Sequence, residues 1–339
     1  MRVAGIDCGT NSIRLLIADA VAESDGFKLN EVLRRMEVVR LGYRVDETGE
    51  FDVDALARTL AMVKEYARIC QELAVESLRF VATSASRDAR NKDLFIDGVE
   101  QILGVKPEVI SGRIEAQTSF SGAISALSGK DSGYRKVLAI DLGGGSTELA
   151  LGTANQGLLA GYSMDIGCVR IFERRLKEVQ EATNPEFTPE ADKWETQINL
   201  AVSDISAALD EAEHEVPLTD VEQIIGLAGS VTTIAATGLN LAQYDAKKIH
   251  GSEFTISEMV EICDWYLQSS SLQRAKLGFM HPGRVDVITA GALVWREVIQ
   301  RISLRCREAG VKEPRILVSE NDILDGIALW AAREPQFIS

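Results

Sequence analysis

Two stretches of this chain can be laid over one another without a gap. "AGIDCGTNSIRLLIA" begins at Ala4 and "LAIDLGGGSTELALG" at Leu138. Asp7 then meets Asp141, Gly9 meets Gly143, Ser12 meets Ser146 and Arg14 meets Glu148, all at an offset of 134 residues. The apolar positions agree as well. Each stretch is an apolar run, a turn of small residues and a second apolar run, which is the pattern of strand, turn and strand. Glycine-turned hairpins look alike in general, but four matched polar positions point to duplicated halves. At 339 residues the chain has room for two domains of roughly 150 residues each.

The rest of the chain alternates strand and helix patterns. Over 52–73 the apolar residues Val53, Leu56, Leu60, Val63 and Ala67 recur at helical spacing, with Asp52 placed to cap the helix. "SLRFVAT" (77–83) reads as a strand, followed by a helix over about 86–103. "PEVIS" (107–111) reads as a short strand, and a helix opens after Ser111. The second half repeats the scheme. Helices are expected near 165–187, 189–213, 256–267 and 284–308. Strands are expected at 222–228 and 315–319. Ser230 opens one further helix, and a last helix has Asn321 as its expected cap. The polar stretch "SGKDSGYRK" (128–136) is the expected boundary loop.

Composition excludes several classes. The five cysteines are scattered without a CxxC pair, and the three histidines stand far apart, which argues against a disulfide scaffold or a zinc site. Any metal would be a hard ion held by carboxylates and water. The amino-terminal stretch is interrupted by Asp7, Asn11 and Arg14 and lacks a signal-peptide core, and no run has the length of a membrane span. The expected location is cytoplasmic. A formal net charge of −15 repels nucleic acid and anionic membranes, so neither is an expected partner, and contacts to a polyanion would have to be local.

Candidate chemistry gathers in the small-residue loops. Gly143, Gly144 and Gly145 free the backbone to bring N–H groups toward a ligand, and successive N–H groups make a concave anion site. Ser146 adds a hydroxyl, and Asp141 and Glu148 add two carboxylates that suit a phosphate with its Mg²⁺. A plain hairpin with solvated acids would carry the same residues. The first hairpin supplies Thr10, Asn11 and Ser12 as donors. Arg14 on its apolar strand is either a phosphate contact or a structural salt bridge. Arg87 lies where a helix opens, either as an anion contact or as a solvated helix residue. Glu115 falls in a first helical turn, where it could act as a general base or complement the macrodipole. In "GLAGSVTTIAATG" the hydroxyls of Ser230, Thr232 and Thr233 lie near a helix start. In "HPGRVDVITAG" Arg284 and Asp286 do the same.

Taken together, "IDCGTNSIRLLIA", "ATSASRDARN", "VISGRIEA", "IDLGGGSTELAL", "SMDIGCVRIFE", "GLAGSVTTIAA" and "HPGRVDVITAGALV" resemble, in this order, the exopolyphosphatase/guanosine pentaphosphate phosphohydrolase family. The resemblance spans residues 1 to about 335. It implies an α/β fold with two ribonuclease H-like domains of the actin, Hsp70 and sugar-kinase type around a central cleft. The expected division is residues 1–122 with 317–339, and residues 123–316.

The resemblance also implies a metal-dependent phosphohydrolase that releases terminal orthophosphate from linear polyphosphate or from guanosine pentaphosphate, with Mg²⁺ or Mn²⁺ as cofactor. A homodimer is admitted. Carried over by motif, Glu115 takes the place of the general base. Asp141 and Glu148 take the metal and water-positioning places. Gly143, Gly144, Gly145 and Ser146 form the phosphate loop, and Thr10, Asn11, Ser12 and Arg14 the opposing loop. Arg87 and Arg284 are the basic contacts. Long family members carry a further helical region resembling HD-type phosphohydrolase domains. Its absence before Ser339 makes short chains or nucleotides expected substrates, and the family's "GLREG"-like ending is here "SENDILDGI". The alternatives are a small-molecule kinase of the same superfamily and a nucleotide-binding, actin-like protein.

Overall fold

The computed structural model describes residues 1–23, 26–125, 136–181, 191–219 and 221–336. All of the expected boundary loop except Lys136, and the join of the two helices expected near 165–213, lie outside these residues. The chain forms two compact units, Met1–Ser125 with Asp322–Ser339, and Ala126–Asn321.

In the first unit, β1 (Arg2–Cys8), β2 (Ser12–Glu23), β3 (Gly26–Val38), β4 (Ser77–Ala82) and β5 (Glu108–Val109) form one sheet in the order β3-β2-β1-β4-β5. The first three strands are antiparallel neighbours, while β4 runs parallel to both β1 and β5. In the second unit β6 (Val137–Leu142), β7 (Thr147–Thr153), β8 (Gly157–Met164), β9 (Gln223–Leu227), β10 (Glu253–Phe254) and β11 (Arg315–Val318) pair in the order β10-β11-β9-β6-β7-β8. Read from β8, this sheet repeats the first, with β10 added antiparallel at the edge. The hairpins repeat in register: Asp7 pairs with Arg14, and Asp141 pairs with Glu148. Even the turn is copied, since Gly9 N–H donates to Ser12 O and Gly143 N–H to Ser146 O, each at 3.0 Å. The duplication legible in the sequence is therefore a duplication of fold, and both units are α/β.

The inner strands β1, β4 and β6 are buried almost throughout, because helices cover both sheet faces and leave no solvent side to alternate toward. On one face of the first sheet lies the helix Val53–Glu72. Its inward stripe includes Ala55, Val63, Tyr66 and Ile69, and Asp52 caps it by accepting from Asp54 N–H and Ala55 N–H. Tyr66 is buried and donates its hydroxyl to Ile13 O of β2. On the other face, the helices Gly112–Ser125 and Ile323–Arg333 cross with almost no space between backbones. A Cβ on Gly122 would lie 1.8 Å from Asp322 O, and one on Gly326 would lie 2.1 Å from Thr118 O. Overpacking against backbone cannot be relieved by a side-chain rotation. Gly122→Ala is therefore expected to destabilise the first unit by about 3 kcal/mol, seen as a lower urea midpoint for that unit. An unchanged midpoint would show that the helix pair can separate at little cost.

Three local expectations are corrected. The helix expected over 86–103 is two helices, Ser84–Asp88 and Lys92–Leu103, because Ala89 is extended. The intervening Asn91 turns its amide to Phe51, accepting from its N–H and donating to its C=O. The last helix is capped by Asp322, not Asn321: the Asp322 carboxylate accepts from Leu324 N–H, and Asp325 reaches back to Asp322 N–H. The helix expected to open at Ser230 already opens at Ala228, which takes a φ of 67°. All five cysteines are free and buried. Among the described residues, no helix is long and apolar enough to cross a membrane.

Candidate functional site

In the first unit, parallel pairing sets Cys8 beside Ala82, and Ala82 beside Val109. The chain therefore leaves three neighbouring strands at one sheet edge. This carboxyl edge, where strand order reverses, is where open α/β sheets hold ligands. The loop after β1 carries Thr10 and Asn11, with Ser12 opening β2; the short helix after β4 carries Arg87; the helix after β5 carries Glu115.

Neighbours on one side hold the first loop's carbonyls. Thr10 O accepts from Gly42 N–H at 2.9 Å, and Asn11 O accepts from Val39 N–H and Arg40 N–H at 3.1 and 2.8 Å. Among the described residues, the buried Thr10 Oγ1, Asn11 Oδ1 and Ser86 Oγ have no hydrogen-bond partner, an arrangement that normally signals a missing ligand or water.

The two arginines of the first unit expected to touch phosphate are already engaged with carboxylates. Arg14 donates to Asp7 at 2.6 Å and also to Asp322. Arg87 donates to Glu115 at 2.5 Å and to Ile110 O at 3.1 Å. Burial pushes the Asp7 carboxyl up, and the Arg14 guanidinium beside it pulls it back. Arg14 thus joins the hairpin to the capping residue of the last helix. Removing one partner of a buried ion pair strands the others, so Arg14→Met is expected to destabilise the first unit by about 3 kcal/mol. Thermal melting checks this. A variant that melts normally but shows a raised KM would make Arg14 a substrate contact instead.

In the second unit, Asp141 lies beside Leu227, and Val318 beside Gly226, so the same edge recurs. Here three consecutive glycine carbonyls are held. Gly143 O accepts from Cys168 N–H, Gly144 O from Val169 N–H and Arg170 N–H, and Gly145 O from the Arg170 side chain. The N–H groups of Gly144, Gly145 and Ser146 have no acceptor among the described residues. Three backbone donors on one side of a glycine loop make an anion nest.

The register pair below this loop differs in charge from its counterpart. Where the first hairpin sets Asp7 against Arg14, the second sets Asp141 against Glu148, which are 6% and 2% exposed. Ser163 on β8 donates to Glu148 Oε1 at 2.7 Å. Two buried carboxylates side by side repel unless a cation or proton joins them. Among the described residues, no three metal-ligating side chains converge. Two carboxylates on one register position are the protein oxygens an ion such as Mg²⁺ takes when water and substrate phosphate fill the rest of its shell.

Arg284 is also at this edge. Its guanidinium lies against Gly229, where a Cβ would fall 2.0 Å from Nη2, and Nη1 is 3.5 Å from Thr233 Oγ1. Glycine is the residue that lets the guanidinium in. Nearby, the Tyr244 hydroxyl is 2.6 Å from Glu320 Oε1 and 2.8 Å from Thr232 Oγ1.

Within each unit, then, the candidate residues lie at the carboxyl edge of its sheet. Sequence reasoning missed Ser86, Ser163 and Arg170. Ser86 stands within "ATSASRDARN" without an expected role. Ser163 follows from strand pairing (it stands opposite Glu148 on β8), and Arg170 had only its place in "SMDIGCVRIFE" to mark it.

Comparison with known proteins places the chain in one family. Residues 20–318 match the model of the Ppx/GppA phosphatase family. Over 336 residues the chain is 41% identical to exopolyphosphatase 2 of Mycobacterium tuberculosis strain H37Rv, covering 98% of each chain. It is 32% identical over 231 residues to the guanosine-5'-triphosphate,3'-diphosphate pyrophosphatase of Pseudoalteromonas translucida, covering 68% of this chain and 42% of that one. A solved exopolyphosphatase-like protein superposes with a TM-score of 0.88 at 39% identity, covering 98% of this chain and 99% of that one.

Proposed function

The chain belongs to the Ppx/GppA phosphatase family, and we propose that it releases terminal orthophosphate from linear polyphosphate, with guanosine pentaphosphate as a second substrate. The observation that carries this reading is the glycine loop of the second unit, whose glycine carbonyls are all held so that the N–H groups of Gly144, Gly145 and Ser146 are left for an anion beside two buried carboxylates.

In this reading the N–H groups of Gly144, Gly145 and Ser146 hold the terminal phosphoryl group, and the hydroxyls of Thr10 and Ser12 serve the loop of the first unit. Arg87 and Arg284 supply positive charge. Glu115 accepts the proton of the attacking water as the new P–O bond forms and the bond to the shortened chain breaks. Such transfers depend on in-line positioning and charge neutralisation, with little covalent work for the protein. Asp141 and Glu148 would hold Mg²⁺ or Mn²⁺, which when bound neutralises phosphate charge. No nucleophilic side chain is required.

The test is a phosphate-release panel with long polyphosphate, tripolyphosphate, guanosine pentaphosphate and ATP, each with Mg²⁺ and with Mn²⁺. Release from polyphosphate without any acceptor is expected. Turnover that appears only when an alcohol or carboxylate acceptor is added would make the protein a kinase.

A further inference from the structure

We propose that Arg170 is a positioning residue: it aims the Ser146 N–H at the phosphoryl group by holding the carbonyl on the other end of the same peptide. The inference rests on the reading of Gly143–Ser146 as the phosphate loop.

A peptide unit is planar and trans, so its C=O and N–H point in opposite directions. Fixing the carbonyl of one residue therefore fixes the direction of the next residue's N–H. Cys168 N–H, 3.1 Å from Gly143 O, sets Gly144 N–H. Val169 N–H and Arg170 N–H, 2.8 and 3.1 Å from Gly144 O, set Gly145 N–H. Among the described residues, the third peptide has no backbone partner of this kind. Its carbonyl, Gly145 O, is held by Arg170 Nε at 2.8 Å.

The copy in the first unit shows what the side chain replaces. Asn11 stands where Gly145 does, and its carbonyl is held by two backbone donors, Val39 N–H and Arg40 N–H. In the second unit the guanidinium supplies this bond. Its donor is charged, which makes the bond stronger than a neutral one.

The holding segment is itself anchored. A Cβ on Gly167 would fall 2.4 Å from Gly144 O, so the segment lies directly against the loop. Downstream, Arg175 grips Asp204 through two hydrogen bonds of 2.7 and 2.9 Å.

The experiment is an orthophosphate titration of the full-length, ¹⁵N-labelled protein with Mg²⁺ present, following the amides of Gly144, Gly145 and Ser146. In the unaltered protein all three are expected to shift. In Arg170→Met, which keeps the aliphatic stem and removes the donor, the Ser146 shift is lost while that of Gly144 persists, and orthophosphate binds about tenfold more weakly. Arg170→Lys restores a charged donor and is expected to restore the Ser146 response.

Wild-type shifts that survive unchanged in Arg170→Met overturn this proposal alone. No shift in the unaltered protein removes the phosphate-loop reading, and the proposal with it. Should Arg170→Met fail to fold, Arg170→Lys decides: a Ser146 response with near-normal affinity supports the role. A tenfold loss of affinity with the Ser146 response intact overturns it.

Discussion

Glu115→Gln should lower kcat about a thousandfold while KM stays within about threefold, the range expected for loss of a general base. Glu115 is 6% exposed in the first turn of its helix, and its Oε2 accepts from Arg87. Glutamine keeps the volume and leaves a carbonyl oxygen for the Arg87 hydrogen bond, but it removes the charge of that ion pair together with the ability to take a proton. A lower melting temperature is therefore expected, and kcat is compared at a temperature where both proteins are folded. A variant that retains a tenth or more of wild-type kcat would return Glu115 to the bland role of an acid complementing the helix dipole and holding Arg87.

Glu148→Gln is expected to reduce kcat/KM by about a hundredfold and to raise the Mg²⁺ concentration at half-maximal rate about tenfold, because one of the two proposed metal ligands loses its charge. Ser163 can still donate to the amide oxygen, so the strand pairing at this position should hold. A variant with ordinary rate and ordinary Mg²⁺ response would take Glu148 out of the metal site.

Much of the architecture was legible because it is written in local pattern. Asp52 caps its helix as expected, since a cap depends on residues two and three positions away. The offset of 134 residues carries over into two sheets of the same order and into identical hairpin registers. Boundaries were less legible where a tertiary contact intervened. Asn91 ended a helical pattern by bonding to Phe51, forty positions upstream, which nothing in the periodicity of 86–103 announces.

The candidate site divides along the same line. From the sequence alone, Asp141 and Glu148 follow from alternation around a glycine turn, and so does the contrast between an Asp–Arg pair in one hairpin and an Asp–Glu pair in the other. Both are set by short-range register, since strand partners across a tight turn are fixed by the turn itself. The tertiary structure decided which distant charge meets which. Arg14 finds Asp322 from the far end of the chain, Arg87 finds Glu115, and Arg170 reaches back to the carbonyl of Gly145. No periodicity encodes such contacts, because they arise only when the helices and strands that carry them pack.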